Sequence, residues 1–169
     1  MDAKYAESMK NWPPKKTWMC LSLITGVFLS GLVGSGSARP QIYVPDPITG
    51  YAIGGHDPVS YFVYGHPRKG NRELALKWGG AEWVFVNEGN RAAFNKHPES
   101  YAPLFAGCGS YALSEGFATA GNPFIYAVID GRLMFFHTVV NRFLFIVNAS
   151  QLIKDARKNA AEVGCVPVT

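Results

Sequence analysis

A repeated pattern sets the strongest limit on what this chain can fold into. Residues 79–94 (GGAEWVFVNEGNRAAF) and 130–145 (DGRLMFFHTVVNRFLF) align without a gap at a separation of 51 residues. The identical pairs in this alignment are Gly80 and Gly131, Phe85 and Phe136, Asn90 and Asn141, Arg91 and Arg142, and Phe94 and Phe145. Each segment reads as a turn, a strand and the start of a helix. The pattern therefore predicts two copies of one hairpin–helix unit.

The two turns predict the strand pairing. Alternating apolar runs flank Gly79 and Gly80, and a second pair of runs flanks Asp130 and Gly131, which is the stronger turn signal. A lone hairpin is marginally stable in water, so we expect the units to pack together under their helices. Their aromatic sides are then expected to meet at a common centre. The sequence thus predicts one small α+β domain.

The helix predicted over residues 138–147 is unusual because it is apolar around most of its circumference. Such a helix is buried in its own domain or against a partner, which makes it the main sequence indication of a homo-oligomer or a protein partner. Residues 149–162 form an amphipathic pattern with one apolar stripe, which predicts a second helix.

The N-terminal segment has the pattern of an export signal. Lys15 and Lys16 precede an apolar run of 16 residues at 18–33, and small residues follow at 34–38. This predicts a cleavable signal peptide over residues 1–38, with an uncleaved membrane anchor as the alternative. We expect the rest of the chain to be periplasmic or extracellular, with no membrane contact beyond this segment.

Composition divides the remainder into three parts. Residues 39–50 hold three prolines and predict an extended arm, residues 51–147 form the domain, and residues 148–169 form a C-terminal helix and tail. The net charge is +4, and no basic run, Lys15-Lys16 included, is longer than two residues. No nucleic-acid partner is expected from that distribution.

Beyond the N-terminal segment the chain has two cysteines, Cys108 and Cys165. An exported protein meets an oxidising compartment, so the two can form a disulfide. Two free thiols, or a cysteine that binds a metal ion, agree equally well with the sequence.

A metal site would have to be assembled by the fold, since no cysteine or histidine pair has a C-x-x-C or H-x-x-x-H spacing. His56 and Cys108 both lie in glycine-rich loops, where side chains can converge on one centre. His137 ends a predicted strand, and it also fits a partly buried structural histidine. The candidate ligands for copper or zinc are therefore Cys108, His56 and His137.

The stretch GGHDPVSYF at 54–62 reads first as the entry to a short helix, with Asp57 or His56 as its cap. His56 and Ser60 are also spaced as a base and a nucleophile would be. A helix start gives that spacing by chance, and the chain has no nucleophile elbow and no dinucleotide fingerprint. We therefore predict that the protein is not an enzyme.

Five motifs in order carry a family resemblance: HDPVSYF at 56–62, W-x-G-A-x-W-x-F at 78–85, NRAAF with P-x-x-Y-A-P at 90–103, GNP at 121–123 and DGRL at 130–133. Over about residues 50–145 the chain resembles the YHS domain in its secreted bacterial form. The resemblance implies an α+β domain related to treble-clef-like modules, and copper or zinc binding. This chain has Ser60 where metal-linked members carry a cysteine, and its Cys108 is displaced by one residue.

These observations favour an exported, non-catalytic protein that resembles YHS domains and binds a transition metal. The alternative is a metal-free structural or protein-interaction module in the periplasm.

Overall fold

Two antiparallel hairpins organise the protein, whose computed structural model describes Tyr43 and residues 45–165. Strand β1 (Asn71–Trp78) pairs with β2 (Ala81–Phe85), and β3 (Asn122–Ile129) pairs with β4 (Arg132–Phe136). Each hairpin forms its own two-stranded sheet. The predicted hairpins are thus confirmed, whereas the predicted signal segment, residues 39–42 and 44 of the arm and residues 166–169 of the tail lie outside the described residues.

Both hairpin loops have two residues with positive φ. The angles are 57° and 84° at Gly79 and Gly80, and 50° and 71° at Asp130 and Gly131. Positive φ at both central residues matches the twist of the flanking strands, and glycine and aspartate tolerate it better than bulky residues do.

Six α-helices complete the described part of the domain. They are α1 (Ser60–Val63), α2 (Glu88–Lys96), α3 (Pro98–Tyr101), α4 (Ser110–Ser114), α5 (Val139–Val147) and α6 (Ala149–Ala160), and a short 3-10 helix (Ala52–Gly55) precedes α1. Helices α5 and α6 confirm the predictions for residues 138–147 and 149–162. No helix in this part of the chain is both long and apolar enough to cross a bilayer.

The structural repeat is more extensive than the sequence alignment indicates. β1, β2, α2 and α3 each begin 51 residues before β3, β4, α5 and α6, respectively. We call Tyr43 and residues 45–103 the first half and residues 104–165 the second half. The irregularity of the hairpins is repeated as well. The register shifts after the pair Asn71 and Phe85, and likewise after Asn122 and Phe136. At both places the asparagine side chain accepts a backbone hydrogen bond from two residues further on, at 3.1 Å and 2.9 Å.

The helices that follow the hairpins begin in the same way with different residues. Asn87 Oδ1 accepts a hydrogen bond from the Asn90 amide at 2.8 Å at the start of α2. Thr138 Oγ1 accepts one from the Asn141 amide at 3.1 Å at the start of α5. The asparagine and the threonine each satisfy an amide that has no partner within the helix. Both helices are therefore capped, although the capping residue differs.

The core is divided, which corrects the expectation of one common centre. Trp83, Phe85 and Phe94 pack in a cluster of the first half, and Met134, Phe136 and Phe145 pack at the equivalent positions of the second half. A small third cluster joins Tyr61 of the first half to Leu133 and Phe135 of the second. Each hairpin turns one face to its own helix, so the two faces cannot also meet each other.

The two halves are joined by hydrogen bonds as well as by that third cluster. The Tyr61 hydroxyl donates to the Pro123 carbonyl at 3.0 Å, and the Tyr126 hydroxyl donates to the Gly65 carbonyl. Tyrosines thus bridge the halves in both directions, burying a ring and satisfying its hydroxyl.

Two equivalent glycines bring a loop against each hairpin. A β-carbon on Gly70 would lie 2.5 Å from the Val84 carbonyl carbon, and one on Gly121 would lie 2.5 Å from Phe135 Cβ. Val84 and Phe135 are themselves 51 residues apart. Since neither neighbour is the end of a flexible chain, only glycine fits at these positions.

We therefore expect Gly70→Ala and Gly121→Ala each to lower the free energy of unfolding by about 2 kcal/mol or more, because the backbone must move to admit a methyl group. Urea denaturation followed by circular dichroism measures this. Gly89→Ala on exposed α2 is the matched control and should stay within about 1 kcal/mol of wild type, since its counterpart Val140 already carries a side chain. Wild-type stability in either of the first two variants would contradict the close approach.

Candidate functional site

The aspartate of the HDP motif has a structural role. Asp57 is fully buried, and its carboxylate accepts hydrogen bonds from the Val59 amide at 2.8 Å, the Val86 amide at 2.8 Å and the Asn90 side chain at 2.6 Å. These donors come from the helix entry, the end of β2 and α2. One buried charge thus ties three segments together, and such charge-assisted bonds are strong. The predicted cap at this residue acts on Val59, just before α1.

Ser60, the candidate nucleophile, is also fully buried. Its hydroxyl donates to the Asp57 carbonyl at 2.6 Å and accepts from the Arg68 amide at 3.0 Å. The first bond lies at the entry to α1, and the second holds the loop between α1 and β1. The hydroxyl is therefore occupied by backbone groups, as expected for a structural serine.

The second half lacks this arrangement. Gly109 is the counterpart of Asp57. The Asp57 amide donates to the Arg68 carbonyl, and the Gly109 amide donates to the Thr119 carbonyl, at 2.8 Å in each case. A β-carbon on Gly109 would lie 2.6 Å from Thr119 Oγ1. The hydroxyls of Thr119 and of the buried Ser110 have no hydrogen-bond partner among the described residues. The second half thus contains two buried hydroxyl groups with unused bonding capacity.

The cysteines are joined. Cys108 and Cys165 form a disulfide with a Cα–Cα distance of 6.1 Å. This decides between the three alternatives that the sequence left open. A disulfide sulfur has no thiolate to offer, so the Cys108 prediction as a metal ligand is not met in this oxidised form. The bond ties the segment after α6 to the loop before α4.

An apolar cleft of about 740 Å³ lies beside the disulfide. Its walls come from the arm and the 3-10 helix, the loop that carries Cys108, the segment 118–124 and the segment 163–165. The cleft thus lies between loops of the first half and loops of the second. Its volume is within the range of small-molecule sites, which are mostly apolar with a few polar groups.

His56 and Cys108 both line this cleft. They are also structural counterparts, since each forms an isolated antiparallel bridge, with Lys69 and Ala120 respectively, two residues that are 51 apart. The His56 ring is buried, lies 3.1 Å from the Ile53 carbonyl through Nδ1, and packs edge-on against Phe124 at 4.9 Å.

His137 lies elsewhere. It is exposed rather than partly buried, and its Nδ1 lies 3.2 Å from the Ala120 carbonyl. It is not part of the cleft lining. Within residues 45–165 and at Tyr43, no group of three or more histidine, cysteine or acidic side chains is close enough to hold a metal ion.

Two ionisable groups in the cleft wall have fixed charge states near neutral pH. Burial raises the pKa of Tyr43 well above its usual range, and its hydroxyl donates to the Pro103 carbonyl at 2.7 Å. The backbone amide of Thr49, followed by its hydroxyl, holds the pKa of Asp46 below its usual range. The wall therefore offers a neutral phenol and an ionised carboxylate.

Comparison of the chain with protein-family models, with curated proteins and with solved structures finds no match. The resemblance to YHS domains therefore stays a prediction. What the structure itself establishes is a small mixed α/β domain with two antiparallel sheets and a cleft between its two repeated halves.

The disulfide gives a direct test of how the cleft wall is held. Cys108 and Cys165 are 57 residues apart, and opening a loop of that length should lower the free energy of unfolding by about 4 kcal/mol on a loop-closure estimate. Urea denaturation with and without dithiothreitol should show this difference in the wild type.

The double variant Cys108→Ala, Cys165→Ala serves as the control, and its urea midpoint should be the same with and without reductant. A wild-type midpoint that dithiothreitol leaves unchanged would contradict a disulfide that supports the fold.

Proposed function

We propose that this protein is an exported, non-catalytic, metal-free binding module of YHS-like type. In this proposal the cleft beside the Cys108–Cys165 disulfide takes an apolar aromatic ligand that carries one hydrogen-bonding group. The observation that carries the proposal is the cleft itself, about 740 Å³ of mostly apolar space between two structural repeats. Clefts of this kind are the usual sites of small-molecule binding.

The polar groups in the cleft support a ligand with one hydrogen-bonding function. Asp46 lines the cleft, and its carboxylate is ionised near neutral pH because hydrogen bonds from Thr49 hold its pKa below the usual range. A ligand N–H or O–H group can donate one hydrogen bond to this carboxylate. The edge-on pair of His56 and Phe124 supplies an aromatic wall for the apolar part.

The metal-free form is favoured over the metal-binding one by the state of the cysteines. The sulfur of Cys108 is bonded to Cys165, and His137 is not in the cleft wall. His56 is then the single member of the predicted set left with a coordinating nitrogen in the cleft. A single histidine is a weak site for copper or zinc, which take three or four protein ligands.

The absence of catalysis is supported by the same residues. The candidate nucleophile Ser60 is bonded to backbone groups on both sides, and Asp57 is engaged by three donors. Neither residue lines the cleft. A nucleophile needs a base within hydrogen-bond reach and an open path to substrate, and the buried Ser60 has a carbonyl group and an amide as its partners.

Indole is a suitable probe because it is apolar and aromatic and has one N–H. In two-dimensional nitrogen–proton spectra of the oxidised protein, we expect indole to shift the amides of the cleft walls, Thr119 and Phe124 among them. Ala120→Trp should remove these shifts, because Ala120 lines the cleft and a large side chain there would fill it. Ala92→Trp on the exposed face of α2 is the control and should leave them unchanged.

Shifts that Ala120→Trp fails to remove, or shifts confined to α5, would contradict the proposed site. Zinc and copper(I) provide the opposing arm of the test. Stoichiometric metal binding to the oxidised protein, lost in His56→Ala, would overturn the metal-free reading and favour the metal-binding one.

A further inference from the structure

Helix α5 presents an apolar face to solvent. Six of its nine residues are large apolar side chains that are between 43% and 73% exposed: Val139, Val140, Phe143, Leu144, Ile146 and Val147. Phe145 is the one residue of α5 in the buried core. The sequence predicted that this helix would be buried in the domain or against a partner, and the domain buries only one side of it. Contiguous exposed apolar surface of this kind marks an interaction site.

The first half shows that the fold does not require this surface. α2 is the counterpart of α5 at a separation of 51 residues, and it likewise buries a phenylalanine, Phe94, at the position of Phe145. The α2 residues that match Val139, Phe143, Ile146 and Val147 are Glu88, Ala92, Asn95 and Lys96, and all four are exposed. The same backbone in the same setting is thus built with a polar outer face. The fold therefore does not require the apolar face of α5.

We infer that α5 docks against α5 of a second copy of this chain, forming a two-fold symmetric dimer. In such a dimer one surface must be complementary to itself, and an apolar stripe without carboxylates meets that condition. α5 contains no acidic residue and no lysine, and its one charged residue is Arg142.

The exposed area agrees with a dimer. The six side chains leave on the order of 600 Å² open on each copy, close to the roughly 800 Å² that each partner buries in a standard interface. The neighbouring rim can supply the remainder. Phe143 lies midway along the helix and is 67% exposed, which makes it the central anchor of the contact.

A membrane surface is less well matched to the same face. Helices that lie in a membrane interface combine their apolar face with several basic residues and often with tryptophan or tyrosine near the headgroups. α5 carries a single arginine and neither of those aromatic residues. The dimer inference is independent of the proposed cleft ligand, since none of the α5 residues lines the cleft.

The test transfers the α2 surface to α5 in the full chain. The variant Val139→Glu, Phe143→Ala, Ile146→Asn, Val147→Lys carries at each site the residue that α2 already tolerates, so we expect it to keep the wild-type circular dichroism spectrum. Sedimentation equilibrium should give a dimer for the wild type and a monomer for the variant. The dissociation constant of the dimer should rise at least about 100-fold, given the loss of several central anchors.

Disulfide trapping gives a second measurement that does not depend on the four substitutions. Phe143→Cys should form a covalent dimer on mild oxidation, while Ala92→Cys, at the matched site on α2, should remain monomeric on a non-reducing gel. A monomeric wild type, a variant that dimerises as well as wild type, or equal trapping at both sites would overturn the inference. So would a monomer that sediments with phosphatidylcholine–phosphatidylglycerol vesicles through α5, since that outcome assigns the face to a membrane.

Discussion

The close approach of a glycine to the second strand of its own hairpin is the constraint on which the rest of this structure depends. Gly70 lies against Val84 and Phe85, and Gly121 lies against Phe135, in both cases closer than a β-carbon permits. This contact sets the loop before each hairpin and so orients the short helix that precedes it. Because the contact occurs twice, the two halves share one architecture. Equivalent positions in the two halves can therefore be compared directly.

Comparison of the halves separates what the fold needs from what it does not. Both halves keep the two-residue turn, the shifted register, the capped helix and the buried phenylalanine, which the core requires. They differ at the buried Asp57, which is Gly109 in the second half, and on the outer face of the helix after the hairpin. The disulfide and the apolar face of α5 also belong to the second half. The features specific to one half are therefore the ones that call for a functional explanation.

Much of the fold could be predicted from sequence, because hairpin turns and helix periodicity are local signals. The pairs Gly79-Gly80 and Asp130-Gly131 located both turns, and the pattern at 149–162 located α6. The common core was predicted wrongly, since which faces of two hairpins meet depends on the packing of their own helices. The pairs at 70–71 and 121–122, both glycine followed by asparagine, could have extended the repeat upstream. The cleft and the state of Cys108 depend on long-range contacts that no local pattern encodes.

Nuclear Overhauser contacts in the full chain test the equivalence of the two halves most directly. The account predicts cross-peaks from the Gly70 α-protons to Val84 and Phe85, and from the Gly121 α-protons to the β-protons of Phe135. Both sets should appear in the same spectrum with similar intensity. A spectrum with only one set, or with neither, would contradict the account, because the halves would then not share the contact that makes them comparable.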